Sequence, residues 1–122
     1  MYTVCKDFVF AAAHSIRGHT GGCENLHGHN YRVRVCVRAA TLDELGMVVD
    51  FAAVKEVARQ VLERFDHRVL NDIPPFDRVN TTAELLAAHV FGEVAGRLAD
   101  PRLAVARVEV WENDTSCAIY EE

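Results

Sequence analysis

The chain has 122 residues, half of them hydrophobic, which suits one domain with its own core and is too few for two comfortable ones. Its formal charge of −5 at pH 7 and isoelectric point near 5.6 leave no basic footprint, so neither nucleic acid nor an anionic membrane is an expected partner. No apolar run approaches the roughly 20 residues that span a bilayer, and the opening "MYTVCKDFVF" is not built like a signal peptide, so a cytoplasmic location is expected.

From Tyr2 to His14 the even positions are Tyr2, Val4, Lys6, Phe8, Phe10, Ala12 and His14, a mostly apolar alternation that predicts a strand with His14 on its apolar side. Residues 15–26, "SIRGHTGGCENL", break that period with three glycines and read as a loop. The alternation resumes at His27, with His27, His29, Tyr31, Val33, Val35 and Val37 on one face and Arg32, Arg34, Cys36 and Arg38 on the other. After "TLDELG", Asp50 is placed to cap a helix whose inward positions are Phe51, Val54, Ala58, Val61, Leu62 and Phe65. The stretch "FDHRVLNDIPPF" reads as irregular chain. A second helix begins in "NTTAELLAAHV", with Thr81 and Glu84 in capping-box spacing, and runs to about Leu98. "LAVARVEVWE" and "SCAIY", linked by "NDT", predict a closing hairpin. The expected fold is therefore α+β: strand-strand-helix-helix-strand-strand, a four-stranded antiparallel sheet with two helices on one face.

The four cysteines, Cys5, Cys23, Cys36 and Cys117, are expected to be thiols, because a cytosolic chain of this size needs no disulfide. Cys5, Cys36 and Cys117 fall in apolar or alternating segments, as small buried hydrophobes do; only Cys23 lies in a glycine-rich loop beside histidines.

The stretch "CENLHGHNY" holds the chemistry. His27 and His29 are two apart on a strand and point the same way, and His14 ends the preceding strand on its apolar face. Three imidazoles with an open fourth position describe a catalytic zinc, whereas a lone histidine on an apolar face is more often hydrogen-bonded core. With Cys23 as a fourth ligand the same residues would form a closed structural site; with Cys23 beside the metal they would pair a Lewis acid with a reactive thiol. Spacing leaves both open. Asp66 and His67 offer a base with an acid to orient it, or simply a histidine answering a helix C-terminus. Glu112 continues the parity of Ala104, Ala106, Val108 and Val110, which turns its carboxylate toward the apolar face, or else it sits in water at a hairpin tip. Glu84 is explained by the capping box with Thr81, and His19 and His89 give no signal.

Taken in order, "FAAAHS", "CENLHGHNYRVRV", "GMVVDFAAVK", "FDHRVLND", "NTTAELLA" and "VEVWENDTSCAIY" resemble the 6-pyruvoyl-tetrahydropterin synthase family across nearly the whole chain. The short C-x-x-L-H-G-H form looks most like the bacterial branch that makes 6-carboxy-5,6,7,8-tetrahydropterin for queuosine and other 7-deazapurines. The resemblance implies the tunnelling fold over one domain, residues 1–122, assembled as a homo-oligomer, commonly a hexamer built from trimers. It implies that His14, His27 and His29 hold Zn2+ and that Cys23 is the catalytic thiol. His67 and Asp66 would reach that thiol from a neighbouring subunit. Glu112 would anchor the pterin or serve in the relay, with Thr82 and Glu84 helping to hold the ring. "NTTAE" departs from the common Asn-Pro-Thr-Ser-Glu, and Asn113 stands where threonine is frequent. The implied substrate is 7,8-dihydroneopterin triphosphate. Two alternatives are a pyruvoyl product on the same fold, and a non-enzymatic domain with a structural zinc.

Overall fold

The two alternating segments form the centre of the molecule: β1 (Tyr2–His14) and β2 (His27–Ala39) pair antiparallel in unbroken register from Tyr2 opposite Ala39 to His14 opposite His27. The computed structural model describes residues 1–122. Helix α1 (Phe51–Leu62) follows, then the two-residue strand β3 (Arg68–Val69), helix α2 (Ala83–Ala95), and the hairpin β4 (Ala104–Asn113) and β5 (Ser116–Glu121). The sheet order is β3-β1-β2-β4-β5, with β3 parallel to β1 and the other pairs antiparallel. The expected α+β architecture is present, with one correction: the sheet is mixed and has five strands where four antiparallel ones were expected. The fifth is too short to leave a periodic trace in "DHRVLND".

Both helices lie on the face that carries Phe10, Ala12, His14, Tyr31, Val33, Val35 and Val37, with α2 packed on β4 and β5 and α1 on β1 and α2. The core is one cluster in which Tyr31, Phe65, Leu70, Phe76 and Leu86 are the bulkiest fully buried apolar residues. No helix is long and apolar enough to cross a membrane.

Local chemistry sets the helix starts. Asp50 caps α1 as expected, its carboxylate accepting from the Ala52 N–H at 2.8 Å. Phe51 is half-exposed rather than buried, because as the first helical residue it stands beside Cys5, Lys6, Asp7 and Arg34 and not over the core. Phe65 is fully buried beyond the helix end, its N–H closing a turn on the Leu62 carbonyl. The cap of α2 is Thr82, which accepts from the Leu85 N–H at 3.2 Å, and not Thr81. Thr81 is committed elsewhere: it is buried, and its hydroxyl donates to the Ser15 carbonyl. Helix α2 ends at Ala95, ahead of Gly96, rather than near Leu98.

The parity read along β4 is corrected by two bulges. Between Cys36 and Val37 the register with β4 skips Ala106, so Val105 is buried while Ala104 is exposed. A second irregularity leaves Glu112 as the extra residue between Trp111 and Asn113. The expectation of four thiols is also corrected. Cys5 and Cys36 stand directly opposite on β1 and β2, 4.1 Å apart at Cα, and form a disulfide; Cys23 and Cys117 are free and exposed. Alternation within each strand says nothing about which residue lies across from which.

His89, which carried no signal in the sequence, is packed edge-on to Phe65 and Phe76 at 5.9 and 5.4 Å, and its Nε2 is buried without a hydrogen-bond partner. Burial pushes its pKa below the ordinary 6.5 and outweighs the opposing pull of Glu93, with Arg64 and Arg97 adding to the depression. The unfolded chain therefore takes up a proton at this residue before the folded one does, so its contribution is complete above pH 6.5 and is lost as pH falls through the folded value. His89→Leu should flatten the acid limb of urea-unfolding free energy by up to about 1.4 kcal/mol per pH unit, the limit for one proton. An unchanged slope would exclude His89 as a source of acid sensitivity.

Candidate active site

The antiparallel register of β1 and β2 sets His14 opposite His27, and the two-residue strand period brings His29 to the same face. Their ring centroids lie 4.6, 5.0 and 4.8 Å apart, and one nitrogen from each falls within 4.8 Å of the others. Two of the rings are oriented by backbone. His14 Nδ1–H donates to the Thr81 carbonyl at 2.9 Å, and His27 Nδ1–H donates to the Asn25 carbonyl at 2.7 Å. A carbonyl only accepts, so both Nδ1 atoms carry the proton and both Nε2 atoms keep a lone pair.

His14 is almost wholly buried, and that burial depresses its pKa despite the Thr81 bond and the Glu112 charge, which act the other way. Burial lowers His29 as well. Neutral imidazole is the form that ligates a metal. The His14 and His29 Nε2 atoms stand 3.1 Å apart, close to the roughly 3.3 Å that two nitrogens take on one tetrahedral zinc. Glu112, the extra residue of its bulge, places Oε1 3.9 Å from His14 Nε2 and Oε2 3.9 Å from His29 Nε2. The donor set fits a borderline cation such as zinc. Tyr31 lies edge-on beneath His14 and His29; its hydroxyl is buried without a partner, and burial together with Glu112 raises its pKa.

Cys23 is not among the converging donors. Its exposed thiol sits on a 3-10 turn, Gly22–Glu24, whose Cys23 carbonyl accepts from the Ile16 N–H at 2.7 Å. Asp66 and His67 are on the outer side of β1. The Asp66 carboxylate accepts from the Ala11 N–H at 3.0 Å and lies 2.9 Å from His67 Nδ1, while the His67 N–H donates to the Ala11 carbonyl. The Ala11 bond first, and then His67, hold the Asp66 carboxyl below its usual range. Those tethers hold His67 at φ +59°, a backbone region that few non-glycine residues occupy, with its side chain 82% exposed. Within one chain no hydrogen bond joins this pair to Cys23.

Glu84 and Glu112 line one cavity with Ser116, Cys117 and Ile119. Thr82 does not line it, and its hydroxyl oxygen is engaged in the helix cap. Sequence reasoning missed the Thr81 and Asn25 carbonyls, since a backbone acceptor is invisible in a residue pattern. It also missed Cys117, whose place in the cavity depends on the β4–β5 register.

Fold and side chains together define an α+β protein with a three-histidine site able to bind a metal ion, next to a cavity lined by two carboxylates. The sequence pattern of the family described as 6-pyruvoyl tetrahydropterin synthase matches residues 3–122. The 6-carboxy-5,6,7,8-tetrahydropterin synthase of Haemophilus influenzae is 30% identical over 145 residues, covering 100% of both chains. The protein of the same name from Synechocystis is 38% identical over 125 residues, covering 98% of this chain and 93% of its own. Among solved structures, the 6-pyruvoyl tetrahydropterin synthase of Caenorhabditis elegans superposes with a TM-score of 0.89 at 28% identity, over 99% of this chain and 95% of that one. The chain belongs to the 6-pyruvoyl tetrahydropterin synthase family.

Proposed function

We propose that this chain, acting as one synthase domain over residues 1–122, converts 7,8-dihydroneopterin triphosphate to 6-carboxy-5,6,7,8-tetrahydropterin with release of triphosphate and acetaldehyde. It would thus be a carbon-oxygen and carbon-carbon lyase serving 7-deazapurine biosynthesis of the queuosine type. The observation that carries this reading is the convergence of His14, His27 and His29 with a free thiol outside the cluster and a carboxylate pair beside it. The names of the Haemophilus and Synechocystis relatives support the carboxy product.

Zinc held by His14, His27 and His29 would supply Lewis-acid polarisation of the substrate's side-chain oxygens. Cys23, as thiolate, would take the carbon-bound proton next to the pterin ring. His67, with Nδ1 beside the Asp66 carboxylate and its side chain exposed, would offer Nε2 as the acceptor for the thiol proton. Because His67 is so exposed and unconnected to Cys23 in one chain, the reading places the dyad against the thiol of a neighbouring subunit, in a homo-oligomer of the hexameric kind. Glu112 and Glu84 are suited to the N–H-rich edge of an aminopterin, which ionised carboxylates accept bidentately; Thr82 contributes by fixing the start of α2 beneath them. A cytoplasmic location accompanies this reading.

The likeness to the C. elegans pyruvoyl synthase favours a second product on the same site. Incubating zinc-loaded protein with 7,8-dihydroneopterin triphosphate, with mass spectrometry of the pterin and an acetaldehyde assay on the same sample, separates the two. Carboxypterin with acetaldehyde is the expected result. A pyruvoyl product without acetaldehyde would overturn the carboxy assignment and keep the site, while absence of turnover would overturn both.

A further inference from the structure

Beyond His14 the chain leaves its strand partner, yet residues 15–17 remain held as if a strand still lay beside them. Asn71 accepts from the Ser15 N–H and donates to the Ser15 carbonyl, both at 2.9 Å. Asn80 accepts from the Arg17 N–H and donates to the Arg17 carbonyl, both at 3.0 Å. Each carboxamide thus reproduces the two-bond pairing that a backbone residue makes in an antiparallel ladder, at alternate positions of the chain. The Arg17 guanidinium ties the same segment down by donating to the carbonyls of Val79 at 3.0 Å and Phe76 at 2.8 Å. Between the two clamped residues lies Ile16, whose N–H donates to the Cys23 carbonyl at 2.7 Å.

We infer that Asn71 and Asn80 are positioning residues for the Cys23 thiol, acting through the backbone of Ser15, Ile16 and Arg17. The intervening loop contains Gly18 at φ +80°, Gly21 and Gly22, residues that by themselves hold no conformation. With residues 15–17 fixed, the Ile16 N–H becomes a stationary anchor and the Cys23 turn hangs from it at a set distance from the end of β1. With them loose, the anchor moves with the loop. A misplacement of about 1 Å at a reacting group costs a catalytic step up to roughly a hundredfold, so two side chains that never touch the substrate can govern its turnover. This inference rests on the reading of Cys23 as the proton-abstracting thiol.

The test compares Asn71→Leu and Asn80→Leu with the parent in the zinc-loaded protein, using 7,8-dihydroneopterin triphosphate. Zinc content, kcat, KM and amide hydrogen exchange at Ile16 and Cys23 are measured for each. The expected result is kcat lowered about 10- to 100-fold with KM nearly unchanged, stoichiometric zinc retained, and faster exchange at Ile16. Asn80→Asp keeps the acceptor for the Arg17 N–H but loses the donor, and should fall between parent and Asn80→Leu. Asn80 also accepts from the Thr81 N–H at 3.2 Å, so Asn71→Leu is the control for disturbance of the His14 support, and it stands in should Asn80→Leu not fold. Faster exchange with unchanged kcat would overturn the inference, as would loss of zinc and of kcat together in both leucine variants. A parallel Cys23→Ala separates the two layers: an active variant brings down the thiol reading, while the exchange rates still decide whether the clamp holds the turn.

Discussion

Cys23→Ala is expected to lower turnover of 7,8-dihydroneopterin triphosphate by about 10²–10⁴-fold, the range over which a positioned base contributes, while zinc stays stoichiometric and the unfolding midpoint scarcely moves. The structure separates these readouts. The Cys23 side chain is exposed, and the turn is held through the Cys23 carbonyl, which alanine retains. The three donors that converge are imidazole nitrogens, so removing the sulfur leaves the cluster intact. Turnover is measured by steady-state kinetics and metal by atomic absorption on the same preparation. Loss of zinc along with activity would make Cys23 a fourth ligand and return the site to the closed structural form.

His27→Ala is expected to lose both. Second-sphere partners of metal ligands are typically worth about 10–100-fold in affinity, and deleting a ligand itself should exceed that, leaving the variant metal-poor after dialysis and inactive. His27 is the more informative of the ligand candidates. Its orienting bond runs only to Asn25, two residues away in the connecting loop, whereas His14 is buried and its loss would strand the Thr81 carbonyl that it satisfies. Folding of metal-free His27→Ala should therefore match that of the metal-free parent, and that comparison is made by thermal unfolding. Full zinc content in this variant would refute the ligand set. If chelation unfolded the parent outright, the metal would be structural rather than catalytic.

Much of the site was legible in sequence because its geometry is local. The two-residue period puts His27 and His29 on one face, and the even parity of β1 puts His14 on its apolar side. Antiparallel strands joined by a loop then bring those ends together. The same period located β1 from Tyr2 to His14 and the start of β2 at His27, ending one residue short of Ala39, and capping chemistry set the start of α1 at Asp50. The cap of α2 was misread by one position, for a reason that is not local: Thr81 and Thr82 offer the same hydroxyl, and what separates them is that Thr81 is claimed by Ser15, 66 residues earlier. Glu112 was placed on the correct side by a parity that the bulge at Ala106 breaks, and a second bulge, not the parity, aims its carboxylate.

The sequence by itself determined the types of the two helices and the four longer strands, their apolar faces and the residue kinds that suit zinc, thiol and acid-base chemistry, because burial periodicity and capping act over a few residues. Only the tertiary structure decided which residues face one another. The Cys5–Cys36 disulfide, β3 beside β1, and Thr81 behind His14 all join positions more than thirty residues apart. So do the Asn71 and Asn80 clamps on Ser15 and Arg17. Such pairings follow from register and packing of whole elements, which no local period encodes.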